Sequence, residues 1–186
     1  MRRVITGQIL LIICCVFYLI WWYRGYRPGV SASPIGGING VLLFITMAFG
    51  FSGVVFSLMP VPEISEPKMH PVAVIGAGIG AYLVLLLVTK YIFHRIVTSE
   101  LFLIVAWTAL EVIVINHLYA GGFLPGNGFL FLCAVIMAAF AFSMVLYIAY
   151  YRMEEMKAFY AAVLPLVTEA VAMAVLIGIT LKFFCL

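Results

Sequence analysis

Apolar residues in this chain come in six long blocks, at about 4–23, 38–59, 71–93, 98–120, 128–150 and 158–184. Each block approaches or exceeds the ~20 residues that a helix needs to cross a hydrocarbon core of about 30 Å. The connectors between them, RGYRPGVSASPIGG, PVPEISEPKMH, HRIVT, GGFLPGNG and RMEEMK, are short and polar or punctuated by Pro and Gly. None is long enough to separate domains, and no internal repeat is present. The pattern predicts an all-α integral membrane protein, a bundle of six transmembrane helices forming a single polytopic domain over residues 1–186.

Composition removes the soluble alternatives. Of 186 residues, 67% are hydrophobic and 9% charged, with a mean hydropathy of +1.25. A soluble domain averages about 45–50% apolar and about 25% charged residues. A chain of this size cannot hide so much apolar surface from water, so membrane lipids are its solvent and its first partners. The net charge of +3 is small and dispersed, which argues against nucleic-acid binding. The chain contains Glu but no Asp. Aspartate-dyad intramembrane proteolysis, Asp-rich prenyl transfer and Asp-based metal sites are thereby excluded.

The first block follows Arg2 and Arg3, and Val30-Ser31-Ala32 resembles a signal cleavage site. Its apolar run nevertheless exceeds the 7–15 residues of a signal h-region. It also ends in Trp21, Trp22, Tyr23 and Arg24, an interfacial aromatic belt with a basic anchor. An uncleaved first helix is expected. Arg2, Arg3, Lys68 and Lys182 lie on one side, and Arg24, Arg27, Lys90, Arg95, Arg152 and Lys157 on the other. That excess on the second side places both termini outside. The location expected is the plasma membrane. Cys14, Cys15, Cys133 and Cys185 all sit in apolar runs, and adjacent Cys14 and Cys15 diverge by about 100° on a helix, so they cannot grip one metal. They read as small buried hydrophobes. No cofactor or metal is expected.

Close helix contacts are expected at small residues: Gly76 and Gly80, Gly50 and Gly53, and the series Ala170, Ala174 and Gly178. Gly76 and Gly80 also belong to VAVIGAGIGA at 72–81, which matches a dinucleotide fingerprint with Glu100 about 20 residues later. That fingerprint needs a strand before the glycines. Here they open into a membrane-length run instead.

Polar residues within the blocks carry the candidate chemistry. Glu111 falls in the middle of the fourth block and Glu169 near the middle of the sixth. A charge at the centre of a membrane helix costs about 2.5–3.5 kcal/mol on insertion scales, so such residues face a bundle interior or water. No basic residue lies at similar depth. Two unneutralised carboxyls therefore suggest a protonatable or cation-binding site. Trp107 and Glu100 precede Glu111 by four and eleven residues and share its helix face. Glu100 also suits the first turn of a helix. Pro165, four residues before Glu169, removes a backbone hydrogen bond and kinks the sixth helix. The freed carbonyl near Ala161 and the hydroxyl of Thr168 are expected near Glu169. Asn116 and His117 close the fourth block, where His117 is expected at the interface.

GFSGVVFSLMP at 50–60 resembles the GxSG signature of rhomboid intramembrane proteases, whose cores also have six helices. The resemblance covers about ten residues. It implies Ser52 as nucleophile and His117 as its base. In that family the serine opens a later helix and the histidine sits in an AHxxG context, whereas Ser52 comes late in the second block. With 1.5 Å rise per residue, Ser52 and His117 lie about 21 and 28 Å along their blocks, a mismatch of about 7 Å.

The leading reading is a small transporter or channel, not an enzyme. Glu111, Glu169 and Trp107 form its binding site for a proton, a cation or a small cationic or lipophilic molecule. The rival is a lipid- or ligand-sensing membrane protein that regulates a partner, acting as a homo-oligomer or with another membrane protein. Serine hydrolysis by Ser52 and His117 comes third.

Overall fold

The computed structural model describes residues 2–29, 33, 35–59, 69–94 and 99–184. The triplet 30–32, the 60–68 connector, Arg95 and Cys185 lie outside these residues. Every regular element among the described residues is helical. They are α1 (Arg2–Tyr26), α2 (Ile38–Leu58), α3 (Pro71–Leu87), α4 (Ser99–Ala120), α5 (Gly126–Ala149), α6 (Glu155–Ala161) and α7 (Leu164–Phe184). α3 continues through a π turn, Val88–Ile92, and α5 through a 3-10 turn, Tyr150–Arg152. Taking α6 and α7 together, six spans are long and apolar enough to cross a membrane. The protein is an all-α, six-helix, multi-pass membrane protein.

The helices follow a circuit: α2 packs on α1, α1 on α7, α7 on α5, α5 on α4, and α4 on α3, with a smaller contact between α2 and α4. α4 is the central element. Half of its apolar window is buried, against 6% for α3. Val114, Ile115 and Leu118 of α4 meet Leu132 and Ile136 of α5, Met173 and Leu176 of α7, and Val4 and Leu11 of α1. A second cluster joins Leu101, Ile104 and Val105 to Met144 and Tyr147 of α5. Burying these side chains among protein atoms gives dispersion contacts denser than fluid lipid tails provide. At the end where α1 finishes, Trp22 stacks on Tyr26 and on Phe159 of α6, with centroids 4.6 and 6.0 Å apart. This is the interfacial belt read from the sequence.

α1 and α2 approach closely through glycine. A Cβ on Gly7 would lie 2.6 Å from Ser57 N and 2.8 Å from Gly53 O, and one on Gly53 would meet Leu11 Cγ at 2.7 Å. Phe17 stacks on Phe49 along the same seam, 5.6 Å between centroids. Gly53 thus does what its size suggests, although its partner, Gly7, is not a residue the spacing singles out.

Gly76 and Gly80 behave differently from expectation. A Cβ on either meets nothing within 4 Å, and the same holds for Gly178. α3 approaches α4 through Gly78, whose added Cβ would lie 3.4 Å from Ala109 Cβ. Two residues along a helix is a rotation of about 200°, so the Gly76–Gly80 face points away from the bundle. Ala174 is likewise exposed, because α7 turns Ala172, Met173 and Leu176 inward instead.

These packing differences set the expected response to methyl groups. Gly7→Ala should lower stability by about 1–3 kcal/mol, since backbone atoms must move to admit the Cβ. Gly76→Ala with Gly80→Ala should stay within about 0.5 kcal/mol of the parent. Reversible unfolding in mixed micelles measures both. Equal effects at the two sites would contradict the α1–α2 seam.

Candidate functional site

The sixth span is two helices because of Pro165. Without an N–H, Pro165 leaves the Ala161 carbonyl without its helical donor. The chain tightens over Ala162 and Val163, where Val163 N bonds Tyr160 O at 3.2 Å, and helix resumes at Leu164. Ala162 at the break and Pro165, Glu169 and Met173 of α7 line one cavity. The four-residue spacing of the last three is one face of α7.

That cavity encloses about 790 Å³ and has apolar walls almost throughout. α4 supplies Glu100, Leu103, Trp107 and Leu110, again one helical face. α1 adds Leu11, Cys14 and Tyr18. α2 and α3 form the outer walls through Met47, Phe51, Ile75 and Ile79. At the end where α4 begins, the Tyr150 hydroxyl donates to Glu100 Oε2 at 2.5 Å. Towards the middle of the spans lies Glu169, whose side chain is 7% exposed. No hydrogen-bond donor among the described residues reaches its carboxyl. Trp107 is buried in the wall, and its Nε1 also has no partner among them.

Glu111 is not part of the cavity wall. It is 0% exposed, and neither carboxyl oxygen has a hydrogen-bond partner among the described residues. The side chain set against it is Gln8 of α1, which approaches without reaching hydrogen-bond geometry. Gln8 is itself fully buried; its Nε2 donates to Ser57 Oγ of α2 at 3.4 Å, and its Oε1 is unpartnered. The Gly7–Gly53 approach brings these two helices close enough for that bond. An amide has one donor end and one acceptor end, and a serine hydroxyl can play either part. A rotation of the Gln8 amide therefore matches Glu111 as an acid, through Oε1, or as a carboxylate, through Nε2, with Ser57 accepting in the first case and donating in the second. Glu111 and Glu169 are close enough to repel one another if both are ionised.

Of the residues expected to bind substrate, the structure puts Glu169 and Trp107 on the cavity and sets Glu111 behind it. Thr168 contributes nothing to Glu169, because its hydroxyl donates to Leu164 O at 2.9 Å. Glu100 is both a first-turn acid of α4 and part of the cavity mouth. Asn116 acts as a clamp: Nδ2 donates to Met69 O at 2.7 Å and Oδ1 accepts from Met69 N at 3.2 Å, fixing the start of α3 against the end of α4. Ser52 and His117 are half-buried on α2 and α4, share no hydrogen bond, and are not among the residues lining the cavity. His117 stands in the last turn of α4 while Ser52 is two turns short of the end of α2, so the depth mismatch read from the sequence persists. No Ser–His dyad is assembled. The residue missed by sequence reasoning is Gln8. As the chain's one glutamine, inside an apolar block, it carried a usable signal.

Comparison with known proteins adds no relative: no protein family, curated protein or solved structure matches the chain.

A thermodynamic cycle tests the inner contact. Gln8→Leu should destabilise by about 1 kcal/mol, since it strips Glu111 of its polar neighbour in the membrane interior. Added to Glu111→Leu, it should cost almost nothing further, which appears as a coupling energy in the double-mutant cycle. Strict additivity would mean that the two side chains do not interact.

Proposed function

We propose that the protein is a small membrane carrier in which Glu169 holds a cation or a proton at the inner end of the cavity. The reading is carried by one observation: a carboxyl with no hydrogen-bond partner among the described residues, within the membrane, lining a cavity of ligand size. Such a group is neutralised either by a proton or by a bound cation, and the two compete for it. Glu111, set behind the wall with Gln8 and Ser57, holds a second proton without touching the cargo. Repulsion between the two carboxyls then ties the protonation of Glu111 to the occupancy of Glu169. Trp107 forms an apolar wall beside the site. The proposed location is the plasma membrane, the boundary at which such an exchange alters a cell's contents.

A second reading is favoured by the outward face of α3. A Cβ on Gly76 or Gly80 would meet nothing within 4 Å among the described residues, which suits a ligand-sensing protein that regulates a membrane partner instead of moving a solute. Flux separates the two.

Purified protein in proteoliposomes, with an imposed pH gradient, should carry protons against a cation. Glu169→Gln should reduce that flux at least about tenfold, the scale expected when one partner of a buried charge pair is removed. Glu111→Gln should reduce it less and weaken its dependence on the gradient. Wild-type flux in both variants would end the carrier proposal, and a correctly folded wild type with no flux would favour the regulatory reading.

A further inference from the structure

We infer that the cargo is a lipophilic organic monocation, which reaches Glu169 from the hydrocarbon of the membrane through the gap between α2 and α3. This inference rests on the carrier reading of Glu169 and narrows it to a substrate class.

Size is the first argument. A cavity of about 790 Å³ falls within the range of roughly 300–1,000 Å³ found for sites that hold organic ligands. It is far larger than any single inorganic ion. Ions such as calcium and magnesium also demand about six or more oxygen ligands at close range. Among the described residues, no three His, Cys, Asp or Glu side chains come together to supply them.

Charge is the second. Glu169 lines the cavity, and among the described residues no Lys, Arg or His does. An anion would meet the like charge of Glu169 there. Glu169 offers one carboxylate at the inner end, enough to neutralise one positive charge. The remaining wall suits a greasy cation: Trp107, Tyr18, Tyr82 and Phe51 present aromatic surface, whose electron-rich faces attract organic cations. A strongly hydrated ion would lose its water there for little return.

The route follows from exposure. Met47 and Phe51 of α2 are 66% and 75% exposed, and Ile75 and Ile79 of α3 are 49% and 58% exposed, yet all four line the cavity. α2 packs chiefly on α1 and α3 on α4. The gap between α2 and α3 therefore opens sideways at the depth of the lipid chains. A molecule that partitions into the bilayer can pass through it without crossing a polar barrier.

The test uses the full-length protein in lipid nanodiscs and three probes: tetraphenylphosphonium, the neutral triphenylphosphine oxide, and rubidium. Tetraphenylphosphonium should bind saturably, one per chain, and quench tryptophan fluorescence. Its affinity should fall at least about tenfold in Glu169→Gln, the loss expected when a buried charge partner is removed, and stay within a few-fold in Glu169→Asp. Ala106→Trp, at an exposed position of the wall, should weaken it similarly by filling the cavity while leaving the acid in place, and this variant serves if Glu169→Gln fails to fold. Equal binding of tetraphenylphosphonium and triphenylphosphine oxide, unchanged in Glu169→Gln, would overturn the inference, since only an apolar groove would remain. Rubidium binding that needs Glu169, with no tetraphenylphosphonium binding, would overturn the substrate class and leave the carrier reading standing. Loss of every Glu169-dependent signal, together with absent flux, would overturn both.

Discussion

A carboxyl group within a bilayer has no water to solvate it, and the whole arrangement of helices can be understood as a response to two such groups. Each would cost about 2.5–3.5 kcal/mol if presented to hydrocarbon as a charge at a helix centre. α4 carries Glu111 and is the helix most enclosed by its neighbours. α7 carries Glu169 and is packed between α1 and α5. The peripheral helices α2 and α3 carry no acidic residue within their spans. The two carboxyls are nevertheless treated differently. One is sealed beside an amide, and the other lines an open space.

Two local features of the chain produce that difference. Gly7 and Gly53 allow α1 and α2 to meet without intervening side chains, which places Gln8 against Ser57 on one side and Glu111 on the other. Larger residues at either glycine would separate the helices and leave Glu111 without its neighbour. Pro165 stops α6 at Ala161 and restarts the helix as α7, so that Ala162, Pro165 and Glu169 share a face on the cavity. A regular helix through this region would have used its first turns differently. The seam and the break are thus the structural causes of a sealed acid and an accessible one.

Much of this was legible beforehand, because lipid imposes simple rules. Six apolar blocks of membrane length predict six spanning helices, since unpaired backbone groups are not tolerated in hydrocarbon. Glu111 and Glu169 stand out as charges in such blocks, and Pro165 marks its own break. Packing partners are harder to read. In lipid no apolar stripe distinguishes the inward face of a helix, as both environments are apolar. The Gly76–Gly80 pair therefore suggests a contact that the described residues do not make, while nothing in the spacing around Gly7 marks it as a contact. The roles of Glu111 and Gln8 depend on which faces of α1 and α4 meet. Sequence spacing within one helix is silent on that point.

Glu169 lines the cavity, and Glu111 is fully buried away from it. Dicyclohexylcarbodiimide, an apolar reagent that partitions into bilayers and modifies protonated carboxyls, reads this difference directly when modified sites are located by peptide mass spectrometry. The expected result is rapid modification of Glu169, slowed by tetraphenylphosphonium, with Glu111 left largely unmodified. Preferential modification of Glu111, with Glu169 spared, would contradict this arrangement of the two acids.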